Sequence, residues 1–198
     1  SYKPGKVVIV TNGRYAGKKA IIVKSNYENG KERKYPHCLV VGLSKGPKKP
    51  TKKNLRKLEE KIKALEGKEN STEKLQKLKS LGVFMKTYNM AHLLVTRYSI
   101  KEDFGVNKSL EKIDGLESQM KETKAQMQKA QNDKAKVEEL QKKLGEQKDQ
   151  YKESVRDAKV SVGTEMYNRF MQGFVRGNNA EENERQEHSE FLFKKLHF

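Results

Sequence analysis

Several residue types that mark particular protein classes are absent or scarce in this 198-residue sequence. It contains no tryptophan, four prolines and one cysteine, Cys38. A single cysteine excludes an intrachain disulfide and a cysteine-based zinc site, and it fits a reducing compartment. Because Cys38 lies in the apolar run CLVVGL, we interpret it as a small core residue. The histidines are not spaced like metal ligands, so the sequence predicts no metal and no cofactor.

Long apolar runs are also missing. No run approaches the ~20 residues of a membrane span, and the start, SYKPGKVVIV, lacks the hydrophobic region of a signal peptide. We therefore expect no membrane partner and a cytosolic or nuclear protein. Hydrophobic residues make up 34% of the chain and charged residues 35%, against about 45–50% apolar, glycine included, and about 25% charged in ordinary domains. This balance predicts one small core with extensive solvated or partner-covered surface.

The positive charge is concentrated in one half of the chain. The formal net charge is +17, and residues 1–101 hold 25 Lys/Arg against 7 Asp/Glu. Residues 102–198 hold 18 and 19, so they are nearly neutral. An excess of this size in one half indicates a polyanion, above all a nucleic acid. The alternative is a solvated basic surface without a partner.

Five short runs in the basic half have the composition of β-strands. They are rich in β-branched and apolar residues, and turn-forming residues separate them. Five such strands predict a small barrel or sandwich. An apolar stripe and a capping-box pattern at Asn70 and Glu73 predict a basic helical insertion at 50–80. The strand runs are VVIV (7–10), AIIV (20–23), CLVVGL (38–43), VFMKTY (83–88) and HLLVTRYS (92–99).

The second half has a helical pattern with a different end. Residues 108–159 predict a long helix or a helical pair, packed along a partner or folded back as a hairpin. A self-associating coiled coil is the alternative, although the heptad is interrupted. Residues 176–190 are polar and predict a loop. The terminal FLFKKLHF should dock on the barrel or on a neighbouring protein, because exposing its large side chains is unfavourable: Phe191, Phe193, Leu196 and Phe198.

The stretch TNGRYAGKKAIIVK (11–24) has the glycines and lysines of a phosphate-binding loop. A nucleotide-binding P-loop requires G-x-x-x-x-G-K-[S/T] followed by a helix. Here three residues separate Gly13 from Gly17, Lys19 stands where a hydroxyl is needed, and a strand-like run follows. No nucleophile–base pair or carboxylate pair stands in a suitable context either. The sequence therefore predicts that the protein is not an enzyme.

A hairpin loop that contacts a nucleic-acid backbone fits the same stretch better. Such a loop can present Arg14, Lys18 and Lys19 to phosphates. Gly13 and Gly17 allow positive φ and close backbone approach. Tyr15 can stack on a base or bond to a sugar. The alternative is a plain solvated hairpin whose glycines serve only the turn.

Four stretches of the sequence resemble a known family. KPGKVVIVTNGRYAGKKAIIVK resembles a KOW motif, which occurs in SH3-like barrels of ribosomal proteins and transcription elongation factors. YPHCLVVGL, KTYNMAHLLVTRYSI and FLFKKLHF resemble, in that order, the eukaryotic large-ribosomal-subunit family L twenty-seven e. The pattern YN-x-x-HL-x-x-TRYS (88–99) is the most specific part. The resemblance covers about 1–49, 81–101 and 188–198.

The resemblance implies an SH3-like barrel with a C-terminal extension. Together with the helical patterns, it gives a mainly β barrel plus an α-helical insertion and a long α-helical C-terminal extension, α+β overall. It implies a structural role in the cytosolic large ribosomal subunit, assembled in the nucleolus, with large-subunit rRNA and neighbouring ribosomal proteins as partners and no small-molecule substrate. Carried over by position, rRNA would face Gly13, Arg14, Tyr15, Gly17, Lys18, Lys19, His92, Arg97 and Tyr98. Charge alone adds Lys3, Lys6, Lys48, Lys49, Lys52 and Lys53.

The sequence departs from the family pattern in several places. Val95 stands where the family usually has proline, and Phe191 where it usually has tryptophan. We expect residues 105–185 to be a lineage-specific expansion that contacts proteins or a reduced patch of rRNA. The predicted organisation is a barrel from 1–49 and 81–101, the insertion at 50–80, a helical extension and loop at 102–187, and a docking end at 188–198. A non-ribosomal KOW factor for elongation or processing, and a coiled-coil adaptor, are the alternatives.

Overall fold

In a computed structural model, the chain forms two compact units. One unit consists of Ser1–Phe104 and Val160–Phe198, and the other of Gly105–Lys159. Within the described ranges, no helix combines the length and hydropathy that crossing a bilayer requires. The structure describes residues 2–28, 33–48, 51–65, 71–129, 134–173 and 180–196.

An antiparallel five-stranded sheet forms the centre of the first unit. The strands are β1 (Lys6–Val10), β2 (Lys19–Asn26), β3 (His37–Leu43), β4 (Val83–Asn89) and β5 (Leu93–Ser99). Their order in the sheet is β4-β3-β2-β1-β5, and a 3₁₀ turn at Met90–His92 joins β4 to β5. The five predicted strands and the α+β class are therefore confirmed. Because β4 and β5 are the two ends of this order, closure into a barrel stays a prediction.

One face of the sheet carries the predicted core. Val8, Ile22 and Val40 lie in a single buried apolar cluster with Phe84, because alternate residues of a strand point to the same face. Cys38 is fully buried in this cluster, which confirms its interpretation as a core residue. Burial raises the pKa of its thiol to about 11.

The opposite face of the sheet is buried as well. Val7, Ile21 and Val41 alternate with the first set and are also buried. Continuous apolar runs such as VVIV and AIIV are typical of strands covered on both faces. On this face Lys19 contacts Phe191 of helix α5 (Ala180–Phe193). Both faces of the sheet are thus buried.

Two helices form the predicted insertion between β3 and β4. They are α1 (Lys52–Lys63) and α2 (Ser71–Leu78). The side chain of Thr51 accepts a hydrogen bond from the backbone N–H of Asn54 (3.3 Å) and so caps α1. Helices therefore occur within the predicted range, whereas its bounds of 50–80 stay a prediction and the capping box predicted at Asn70 lies outside the described residues.

The second unit is a helical hairpin. Helix α3 (Val106–Lys129) pairs with the first part of α4 (Lys134–Gln172). The hydroxyl of Tyr151 donates to Glu117 Oε1 (2.8 Å), and the Thr123 hydroxyl lies 3.0 Å from Gln147 Oε1. These contacts run antiparallel and confirm the helical-pair interpretation. They also explain why Gln147 interrupts the apolar stripe, since it has a polar partner inside the hairpin.

The last part of α4 belongs to the first unit. Val162 and Met166 are fully buried there. The backbone N–H of Leu81, just before β4, donates to the carbonyl of Gly163 (3.0 Å). A Cβ at Gly163 would overlap the Leu81 carbonyl oxygen, so only glycine allows this approach. Gly163 therefore positions the end of α4 beside the start of β4.

The polar stretch 176–190, predicted to be a loop, is helical over its described part from Ala180 onward. The prediction was wrong because it took polarity as a loop signal. Glu, Arg and Gln are good helix formers, and this stretch is rich in them. The apolar residues Leu192 and Phe193 at the end of α5 are buried, which anchors the helix.

Candidate nucleic-acid interface

The β1–β2 loop has the backbone that its glycines predict. Gly13 and Gly17 adopt positive φ, +84° and +74°. The Ala16 N–H donates to the Gly13 carbonyl (3.0 Å), and the Gly17 N–H donates to the Val10 carbonyl (2.7 Å). A Cβ at either glycine would meet no atom within 4 Å. Both glycines are therefore required by the turn itself, and the loop surface beside them is open.

The side chains of this loop divide between solvent and core. Arg14 and Lys18 are exposed, as predicted for residues that reach phosphates. Tyr15 is half-buried and stacks on Phe84 of β4, with ring centroids 4.0 Å apart and planes 6° from parallel. One face of the Tyr15 ring is thus occupied within the protein. Tyr15 fixes the loop to the sheet, which leaves less of it for stacking on a base.

The strand register places a second basic segment at the same end of the sheet. Ala20 pairs with Gly42 and Leu43 pairs with Val83, so β3 ends where β2 begins. Lys45 and Lys48 follow β3 directly, and both are exposed. They therefore share one end of the sheet with Arg14 and Lys18, although sequence analysis missed Lys45. Its place in the lysine-rich run KGPKK was the available signal.

This end of the sheet, which we call the basic end, is defined by Arg14, Lys18, Lys45 and Lys48. None of the four side chains has a hydrogen-bond or ion-pair partner within the described ranges. Residues 1–58 contain 16 Lys/Arg and only two acidic residues, Glu28 and Glu32. The positive potential of this end is therefore not compensated nearby in the sequence.

Lys52 and Lys53 extend this charge into the first turn of α1. Both are exposed, and that turn has no acidic residue. Cations are unfavourable at a helix N-terminus because the backbone N–H groups already give it positive potential. A bound anion would relieve this arrangement. The structure thus keeps both lysines as candidates for phosphate contact, while Lys49 lies outside the described residues.

Lys19 corrects the sequence prediction of a phosphate contact. It is 6% exposed, and its ammonium donates to the carbonyls of Phe191 and, at 2.7 Å, Lys194. The same ammonium lies 3.9 Å from the centre of the Phe191 ring. Desolvation, followed by the charge of Lys194, lowers the pKa of Lys19 to about 8. The side chain caps the C-terminal end of α5 and does not reach the loop surface.

The predicted segment at His92 lies beside the β1–β2 loop. The carbonyl of His92 accepts a hydrogen bond from the backbone N–H of Thr11 (3.0 Å). Its side chain is half-exposed. Tyr2, whose hydroxyl donates to the Met90 carbonyl (3.0 Å), supports the same turn from the N-terminal side. His92 is therefore brought to the loop, and its contact with rRNA stays a prediction.

The other members of that segment contact the chain's own C-terminal helix. Tyr98 stacks on Phe191, with centroids 4.0 Å apart and planes 18° from parallel, and His188 meets its edge at 5.4 Å. Arg97 is exposed and donates to Tyr98 Oη (3.1 Å) and Glu187 Oε1 (3.3 Å). One face of the Tyr98 ring is thus occupied by Phe191, and contact of this half-buried side chain with rRNA stays a prediction. Arg97 could exchange Glu187 for another anion.

The remaining predicted residues are spread over the first unit. Lys3 is exposed, and the ammonium of Lys6 donates to the Arg97 carbonyl (3.1 Å) at the far end of the sheet. Neither lysine belongs to the basic end.

The predicted docking residues lie at the end of the chain. Phe193 is buried near Phe170, with ring centroids 5.6 Å apart, and Leu196 is half-buried. Phe198 lies outside the described residues.

Comparison with known proteins assigns the family. The profile of the Ribosomal L27e protein family matches residues 7–151, well over half of the chain. The chain belongs to this family. The matched range includes the sheet from Val7 onward, the insertion, α3 and the start of α4. It therefore corrects, for 105–151, the expectation that residues 105–185 are a lineage-specific expansion. The terminal FLFKKLHF lies outside the matched range.

Several curated relatives are named large ribosomal subunit protein eL27. Large ribosomal subunit protein eL27 of Tetrahymena thermophila is 42% identical over 100 residues, which are 50% of this chain and 58% of the relative. The eL27 protein of Pyrobotrys stellatus is 42% identical over 102 residues, 52% and 64% of the two chains. That of Solanum tuberosum is 36% identical over 129 residues, 65% and 82%. The matched part thus spans less than two thirds of the first two relatives.

Proposed function

We propose that the protein is a structural constituent of the cytosolic large ribosomal subunit, where it binds and stabilises rRNA for translation. Membership in the Ribosomal L27e protein family is the observation that carries this proposal. The relatives are named as large-subunit proteins, and the basic end supplies a surface suited to a polyanion. The protein has no catalytic role in this proposal. The proposal includes assembly in the nucleolus and neighbouring ribosomal proteins as partners.

The basic end is the proposed contact with rRNA phosphates. Arg14 and Lys18 extend from a loop whose two glycines leave the backbone open to close approach. Lys45 and Lys48 add charge from the neighbouring segment, with His92 beside the loop. Contacts of this kind position a protein on the RNA backbone and recognise its shape more than its sequence. We include Lys52 and Lys53 in this surface.

The sheet and the hairpin would divide the work. We propose that the five strands form the SH3-like barrel of 1–49 and 81–101, with 50–80 as its insertion. Residues 105–159 carry 13 Lys/Arg and 11 Asp/Glu, so the hairpin offers little net attraction for phosphate. Its proposed role is contact with other ribosomal proteins. The docking end at 188–198 would then stabilise the barrel through Phe191 and Phe193 as well as meeting a neighbour.

Sedimentation of a cell lysate on a sucrose gradient, before and after a wash in about 0.5 M salt, tests this function. Binding by 6–10 phosphate contacts alone loses roughly 10³–10⁵ in affinity between 50 and 200 mM salt. A protein built into the subunit is also held by buried surface, so it should stay with the large subunit after the wash. Release into small complexes would instead favour a non-ribosomal KOW factor.

A further inference from the structure

An open groove of about 340 Å³ lies in the first unit, next to the basic end. Its walls come from the segment after β3, from α1 and α2, from residues 80–82 and from the last turns of α4. Most of the lining is apolar, including Leu55, Leu58, Leu78 and Leu81. Its volume falls within the range of about 300–1,000 Å³ for small-ligand pockets. The groove can therefore hold one small, largely apolar group.

Two aromatic side chains of α4 line this groove. Tyr167 and Phe170 stand three residues apart, so they share one side of the helix. The hydrogen bond from Leu81 to the Gly163 carbonyl fixes this part of α4, and Phe193 packs near Phe170. The aromatic wall thus has a rigid support. Both rings are half-buried, so part of each remains accessible.

Two cations stand at the edge of the same groove. Lys45 and Lys48 line it and are exposed, and their ammonium groups have no partner in the part of the chain that the structure describes. Met171, 38% exposed, adds an apolar edge. A ligand that matches all of these features has an apolar, stackable group joined to one or more negative charges.

We propose that the groove receives one unpaired nucleobase of RNA, with the adjoining phosphates at Lys45 and Lys48. This rests on the proposed function and names a binding site within it. An unpaired base has flat apolar faces that stack on aromatic side chains, and its own backbone carries the anions. The groove lies beside the surface assigned to the RNA backbone, so one strand can occupy both. An acidic protein segment with an apolar anchor is the competing ligand.

The test uses the full chain and a fluorescein-labelled, ten-nucleotide oligouridine, with binding measured by fluorescence anisotropy from 50 to 200 mM salt. Stacking on one aromatic side chain contributes enough that its loss weakens binding about fivefold or more. We expect Tyr167→Leu to show this loss at every salt concentration, and Tyr167→Phe to bind within about twofold of the wild type, since its ring still stacks. Tyr151→Leu, the same change on the hairpin part of α4, should leave the affinity unchanged.

The two lysines at the edge of the groove allow a separate prediction. Lys45→Ala/Lys48→Ala should reduce the slope of log affinity against log salt by about 1.4, since each phosphate contact on a single strand contributes about 0.7. Lys142→Ala/Lys143→Ala, an exposed pair on the hairpin, should leave the slope unchanged. Circular dichroism and thermal melting establish that each variant is folded. As a measurement on the unaltered chain, a 4-thiouridine-substituted oligomer should cross-link to the peptide containing Tyr167 and Met171.

The outcomes separate this site from the function it rests on. If the wild type binds the RNA, Tyr167→Leu binds equally well and no cross-link falls on 167–171, the groove does not hold a base and the inference is overturned. The proposed function then stands on the basic end alone. A second outcome is that affinity depends on the size of an aliphatic side chain at position 167 and that only an acidic, leucine-containing peptide competes for the groove. The ligand is then a protein segment, and the inference is again overturned. If the wild type binds no RNA, the proposed function fails too.

Discussion

The two units of this chain differ in how their charge is balanced. The hairpin of residues 105–159 carries 13 Lys/Arg and 11 Asp/Glu, and polar contacts such as Tyr151–Glu117 and Thr123–Gln147 lie within it. The sheet unit is strongly basic in its first 101 residues, and the cations of the basic end have no partner among the residues that the structure describes. The charges of the hairpin therefore nearly cancel within it, whereas the sheet unit is suited to an external polyanion.

Removing charge from the two units should have unequal effects. In the variant Arg14→Ala/Lys18→Ala/Lys45→Ala/Lys48→Ala we expect affinity for single-stranded RNA to fall more than tenfold at about 0.1 M salt, and the salt slope to shrink by about 3. Fluorescence anisotropy over a salt series measures both.

The matched control removes four exposed lysines of the hairpin: Lys112, Lys124, Lys142 and Lys143. Its affinity and slope should stay near those of the wild type. Equal losses in the two variants would mean that net charge, and not the basic end, governs binding, and the comparison between the units would fail.

Core substitutions on one helix should also separate the units. Met166 is fully buried in the sheet unit, whereas Leu144 lies in the hairpin and retains slight exposure. Met166→Ala should lower the free energy of unfolding by about 2–5 kcal/mol, because it removes apolar contacts and leaves a cavity. Leu144→Ala should cost less, since a two-helix seam can relax around it. Urea denaturation followed by circular dichroism compares them, and a larger loss for Leu144→Ala would contradict the assignment of the cores.

The buried Lys19 predicts a pH dependence that belongs to the sheet unit. Its pKa is about 8 in the folded protein, against 10.5 for an ordinary lysine side chain. Between these pH values the unfolded chain binds more protons, so stability rises with pH; below about pH 8 both states are protonated and the contribution is constant. Relative to Lys19→Met, the wild type should gain roughly 2 kcal/mol from pH 8 to 10.

Urea denaturation of both proteins at pH 7, 8, 9 and 10 measures this difference, and contributions common to the two, such as that of Cys38, cancel. A difference that stays flat across the series would show that the pKa of Lys19 is not lowered in the folded protein, and this prediction would fail.

The smallest expected effect comes from removing the hairpin. Replacing Gly105–Lys159 with a flexible Gly/Ser linker retains Val162, Gly163 and Met166, which belong to the sheet unit. The salt slope of RNA binding should then be nearly unchanged, because the removed segment has a net charge of only +2. A clearly shallower slope in the same anisotropy assay would show that the hairpin contributes phosphate contacts.

Much of this fold could be predicted because its signals are local. The five strand runs, the helices within 50–80 and the family pattern at 88–99 each lie within a short stretch. The loop glycines at 13 and 17 were also assigned positive φ for a local reason, the turn. Even the burial of both sheet faces had a signal, because VVIV and AIIV are continuous and do not alternate. Sequence analysis interprets those runs only as strands.

The sequence by itself determined the family, the strands and the basic half, because composition, period and short motifs depend on neighbouring residues. Only the tertiary structure decided which cations remain available. Lys19 and Phe191 are 172 residues apart in the chain, and packing of α5 against the sheet brings them together. The same packing places Phe191 on one face of the Tyr98 ring, while strand register brings Lys45 to the same end of the sheet as Arg14. The sequence pattern of a lysine in a basic run is the same whether its side chain faces solvent or a helix end. Burial and the geometry of its partners distinguish the two cases.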